Sequence, residues 1–95
     1  MSSNELILLE NVLDSLDRLF DRDSKTVDVF ALIFATSIAL NNTNHFQILD
    51  KTAKKLENVL KTAESENELR ETALFETDEL RHYVAKLFPP FINDN

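Results

Sequence analysis

Leu6, Leu9, Leu13, Leu16 and Phe20 recur at alternating steps of three and four, which places them on one stripe of a 3.6-residue period. Leu8, Val12 and Leu19 widen the stripe, and the spacing predicts a helix over roughly 3–20. Ser2 followed by Glu5 has the form of a capping box at its start, and Asp21 to Ser24 supplies turn chemistry at its end. A second helix is expected over about 26–41, starting after Ser24 or Thr26. Val29, Phe30, Leu32, Ile33, Phe34, Ile38 and Leu40 point all ways round it, so it is either the central helix of a bundle or half in an oligomer interface. Asn41, Asn42 and Asn44 end it, because Asn tolerates the left-handed conformation better than most residues. Phe46, Leu49, Ala53, Leu56, Leu60 and Ala63 predict a third helix over 45–63, with Asn44 and Gln47 as its cap and Val59 and Ile48 beside the stripe. Ser65 and Glu68 open a fourth over 66–88, with Leu69, Ala73, Leu80, Val84 and Leu87 inward and Pro89–Pro90 as the stop. Thr77–Asp78–Glu79 leaves open a break in that last helix. Short loops join neighbours antiparallel, so the expected fold is all-α: one domain, an antiparallel up-and-down bundle of about four helices.

Composition removes several function classes. The chain has 95 residues with neither Gly nor Cys. Without Gly there is no phosphate-cradling loop or dinucleotide fingerprint, and without Cys no disulfide framework, thiolate nucleophile or Cys-ligated metal. The longest apolar stretch, Val27 to Leu40, is too short to span a bilayer. Residues 1–9 have neither a leading positive charge nor a small-residue cleavage site. A cytoplasmic protein with no membrane partner is therefore expected.

Catalytic groups are scarce. The two histidines, His45 and His82, sit on different predicted helices and read as exposed or boundary side chains rather than bases. Glu79–Leu80–Arg81–His82 has the Glu-x-x-His spacing that di-iron bundles use. Such sites need two of these motifs and two further inward glutamates, and here there is one motif. A bundle with an exposed histidine also resembles histidine phosphotransfer domains, but neither histidine has the Lys and Gly that follow it in that family. No catalytic residue, metal ligand or cofactor is expected.

Charge points to protein binding. Seventeen acids stand against ten Lys and Arg, for a net charge of −7, which disfavours direct contact with nucleic acid. Lys51, Lys54, Lys55 and Lys61 on the third helix are a local exception, best explained as a solvated face or as compensation between helices. Glu10, Asp14, Asp17 and Asp21 form an acidic stripe beside the apolar one of the first helix, either a solvated face or a binding surface. On the fourth helix Glu68, Glu71, Asp78 and Glu79 lie outward with Phe75 among them and His82 close by in sequence. An outward aromatic ringed by carboxylates suits a hot spot for a basic partner: the ring for burial, the charges for steering. Alternatively, Phe75 covers the Phe91–Ile92 tail. The candidate partner-binding set is Glu71, Phe75, Asp78, Glu79 and His82, with Glu10, Asp14, Asp17 and Asp21.

Leu16-Asp17-Arg18-Leu19-Phe20 before the apolar Val27–Leu40 helix, and Thr77-Asp78-Glu79-Leu80-Arg81 before Leu87-Phe88-Pro89, give the chain a loose resemblance to small acidic bacterial immunity proteins. The resemblance implies tight one-to-one neutralisation of a cognate toxin, often a nuclease with a basic groove, the inhibitor's carboxylates standing where phosphates otherwise bind. The alternative expectation is a structural or adaptor protein that homodimerises through its second helix.

Overall fold

A computed structural model of the chain describes residues 2–62 and 65–88. The first helix, α1 (Ser3–Phe20), begins as its capping residues require: Ser2 Oγ accepts the Glu5 N–H at 3.2 Å. It ends on a feature not expected there. Asp23 N–H donates to the Arg18 carbonyl at 2.7 Å and Arg22 N–H to that of Leu19 at 3.2 Å, the two bonds of a Schellman motif. The residue in the left-handed position of that motif is Arg22, at φ 67°. No described Asn has a positive φ, so the left-handed residue ends α1 and not α2.

The other helices are α2 (Thr26–Ala39), α3 (Phe46–Thr62), α4 (Glu66–Glu76) and α5 (Asp78–Ala85). The protein is all-helical among its described residues, but with five helices where four were expected. The fourth splits at Thr77, which is 2% exposed with φ −99° and ψ 0°. Its N–H and its hydroxyl both donate to the Ala73 carbonyl, at 2.9 and 2.8 Å, and back-bonding of this kind bends helices. Ser65 caps α4 as predicted, accepting the Glu68 N–H at 3.1 Å. Entry to α3 differs from expectation. Thr43, not Asn44, organises the turn: its hydroxyl donates to the Leu40 carbonyl at 2.8 Å and accepts the His45 N–H at 3.1 Å. The expected end at residue 63 and the stop at Pro89–Pro90 lie outside the described residues, whereas α5 ends at Ala85, short of the expected 88.

Successive helices pack on one another, and α1 also contacts α4 and α5. Leu9, Val12, Leu16 and Leu19 of α1, Val29 and Ile33 of α2, Leu49 and Leu56 of α3, Ala73 of α4, and Leu80 and Val84 of α5 make one continuous core. Phe20, expected in it, is 62% exposed. The inward arc of α1 centres on Val12, Leu16 and Leu19, and Phe20 lies at its edge beside the helix end. No described helix is long and apolar enough to cross a membrane.

One buried group is left without a partner. The Thr26 side chain is fully buried at the start of α2, and its hydroxyl has no hydrogen bond among the described residues. Thr26→Val keeps the shape and removes the orphaned oxygen, so it is expected to raise the unfolding free energy by ~1 kcal/mol. Urea titration checks this, and a destabilised variant would mean that the hydroxyl is satisfied after all.

Candidate functional site

The break at Thr77 builds a corner between the C-terminal end of α1 and the α4–α5 junction. Phe75, two residues before the break, is 79% exposed, more than any other large apolar side chain described. Phe20 is next. Between α1 and the junction runs a crevice of about 290 Å³ lined by Leu16, Phe20, Leu74, Thr77, Asp78 and Arg81. On the other side of Leu74, a shallow hollow facing α3 is lined by Lys55, Leu74, Phe75, Glu76, Asp78 and Glu79. Leu74 and Asp78 form the wall shared by the two.

The predicted site residues divide into those that meet at this corner and those that do not. Asp17 joins it through Arg81, whose guanidinium reaches the Asp17 carboxylate at 2.6 Å. Asp21 caps the end of α1 next to Phe20 and is exposed. Asp78 and Glu79 occupy the first turn of α5, where the helix dipole favours negative charge. Asp78 also contacts exposed His82, whose Nδ1 lies 2.9 Å from the Asp78 carbonyl and 3.4 Å from its carboxylate. Glu71 is exposed one turn before Phe75 and pairs with Arg70 at 3.5 Å. Asp14 is engaged along its own helix by Arg18 at 3.0 Å, and Glu10 is exposed further up α1. The acidic stripe of α1 is thus split, its last two members at the corner and its first two away from it.

Glu79 has a second tie. It pairs with Lys51 at 3.1 Å, and Glu76 pairs with Lys55 at 3.8 Å. With Lys54–Asp50 and Lys61–Glu57 along α3 itself, all four lysines of that face have acidic partners. The lysine face is charge compensation within and between helices. The Glu-x-x-His spacing of Glu79 and His82 does not converge on a shared point, since each side chain has its own partner. Among the described residues no three His, Asp or Glu side chains gather as a metal site needs.

His45 overturns its expected exposure. It is 4% exposed, with Nδ1 2.6 Å from the Tyr83 hydroxyl and Nε2 3.6 Å from a Glu5 carboxylate oxygen. In the tautomer that carries its proton on Nε2, facing the carboxylate, Nδ1 accepts from the Tyr83 hydroxyl. The Tyr83 ring meets the imidazole edge-on, centroids 5.8 Å apart. This trio ties the N-terminal turn of α1, the α2–α3 connection and α5 together, on residues away from the corner. Two side chains of the corner escaped the sequence pattern: Phe20, assigned to the core by its period, and Arg81, whose charge gives no hint of its partner 64 positions away. Compared with protein-family models, curated proteins and solved structures, the chain matches none of them.

Proposed function

We propose that this chain is an inhibitor of the immunity or antitoxin kind, which neutralises a cognate toxin by binding over a basic surface, in the leading case that of a nuclease domain. The observation that carries the proposal is the exposure of Phe75 and Phe20 on either side of one acidic corner. Large aromatics left in water at 79% and 62% are costly for folding and useful for binding. Asp21 and Asp78 bring negative charge beside them, Asp17 and Glu79 being paired with Arg81 and Lys51, and such charge raises association rates with a cationic partner. Carboxylates spaced around an apolar anchor can occupy the positions that backbone phosphates take in a nuclease groove. Inhibition by occlusion asks for no catalytic group, only for a surface complementary in shape and charge.

The test begins with capture of the partner on tagged chain at low and moderate salt, followed by assay of the captured protein's activity with and without this chain. Stoichiometric retention of one basic protein, lost as salt rises and silenced by added chain, is the expected result. Phe75→Ala is expected to weaken that complex by ~2 kcal/mol, as for aromatic anchors generally. Asp21→Lys and Asp78→Lys are expected to act mainly by slowing association. Asp78→Lys spares the Lys51–Glu79 pair, which reversal at Glu79 would break. Unchanged affinity in both Phe75→Ala and Asp78→Lys would move the binding surface elsewhere.

A further inference from the structure

The outer face of α2 is apolar from Ala31 to Ala39, with exposed Asp28 on the same face in the first turn. Val27, Phe34 and Ile38 are 50%, 49% and 56% exposed, and Ala31, Ala35 and Ala39 lie exposed beside them. Phe34 stacks on half-buried Phe30, with centroids 5.9 Å apart and planes 18° from parallel. The hydroxyl residues of the same helix are the buried ones. Thr36 and Ser37 are each 2% exposed and satisfy themselves by donating to the Leu32 and Phe34 carbonyls at 2.7 Å. An amphipathic surface helix does the reverse. Here the polar groups tolerate burial through local bonds, and three large apolar side chains are left outside.

We propose that this face is a homodimer interface, on which α2 packs against α2 of a second copy across a two-fold axis. Three observations select that occupant. A chain of net charge −7 repels its own copy, and the stretch from Val29 to Leu40 contains no charged residue, so two copies can meet there without opposing like charges. A two-fold interface must be self-complementary, and this face has both halves of a fit: a ridge of Phe34 and Ile38 beside a groove over Ala31, Ala35 and Ala39. Val27, Phe34 and Ile38 are each about half exposed beside three exposed alanines, a more continuous apolar patch than singly scattered surface residues leave. A basic foreign partner gains nothing from charge on this face, and a membrane surface calls for a cationic rim that the face lacks. The proposal uses none of the residues at the Phe20–Phe75 corner and stands or falls separately from the inhibitor function.

The test is sedimentation equilibrium of the full chain from low micromolar to hundreds of micromolar. A reversible monomer–dimer equilibrium is expected, strengthened by added salt because repulsion between the acidic copies is screened, the opposite salt response to that of the corner. Phe34→Glu is expected to weaken dimerisation at least ~tenfold, with helical circular dichroism unchanged and an unfolding midpoint equal to wild type at concentrations where both are monomeric. As a second probe, Ala35→Cys in this cysteine-free chain is expected to crosslink with a short bismaleimide, while Asn58→Cys on α3 is not. A monomer at every concentration, wild-type dimerisation by Phe34→Glu, or a dimer abolished by Phe75→Glu instead would each overturn the proposal.

Discussion

Arg70→Ala is expected to lower the unfolding free energy by about 2–3 kcal/mol, the range for losing hydrogen bonds made by a charged group. The guanidinium reaches from α4 to the end of α1, donating from Nε to the Leu19 carbonyl and from Nη2 to that of Phe20, both at 3.1 Å. These carbonyls lie in the last turn of α1, where intrahelical donors run out and the helix dipole is negative. The Arg70 side chain is 12% exposed, so water replaces it poorly. The Leu19 carbonyl keeps the Arg22 N–H at 3.2 Å, so the Phe20 carbonyl is the one that loses its donor to water. Arg70→Lys is expected to recover only part of the loss, because a single ammonium cannot present two donors in the fork geometry of arginine. Urea denaturation of the three proteins decides it. If Arg70→Lys matched wild type, the fork would be irrelevant and a point charge at the helix end would suffice.

His45→Ala is expected to cost about 2–4 kcal/mol, combining a cavity at a nearly closed site with the loss of a buried hydrogen bond. Tyr83→Phe removes the hydroxyl alone and is expected to cost ~1 kcal/mol. If the 2.6 Å bond joins them as a unit, the double variant is less destabilised than the sum of the singles by at least ~0.5 kcal/mol. Strict additivity in the urea titrations would show that the imidazole contributes by packing alone. Because His45 links α1, the α2–α3 turn and α5, amide exchange in the first turn of α1 is expected to quicken in His45→Ala as well.

Much of the candidate site was readable in the pattern of residues, and the reason is local. Phe75 falls opposite Leu69 and Ala73 on a helical period, so its outward position needs no tertiary information. The same holds for Asp78, Glu79 and Glu71. Phe20 was not readable, because its place in the stripe of α1 is as good as that of Leu16. Only the end of the helix and the way α4 and α5 sit against it leave that ring in water. Nor could spacing reveal that Asp17 belongs with α5 and Asp14 with its own helix, since both carboxylates lie on one stripe and their partners differ by contacts distant in sequence.

The histidines make the same point in reverse. By composition, a lone His between Asn44 and Phe46 is a boundary residue. It becomes an interior one because Thr43 closes the turn that carries it inward and two polar groups from other helices meet it there. What the sequence determined by itself was whatever repeats every three or four residues or depends on adjacent side chains: the helices, the Ser2 and Ser65 caps, the turn after Asp21, and the buried faces of α1 and α3 apart from Phe20. Those features follow from the geometry of one helix and the cost of leaving its apolar stripe in water. Tertiary structure alone decided the rest. It chose which face of an all-round apolar α2 is covered, seated Arg70 on α1, and left Phe20 and Phe75 flanking one acidic corner. Each of these turns on which groups from different helices meet, and no period along a single chain encodes that.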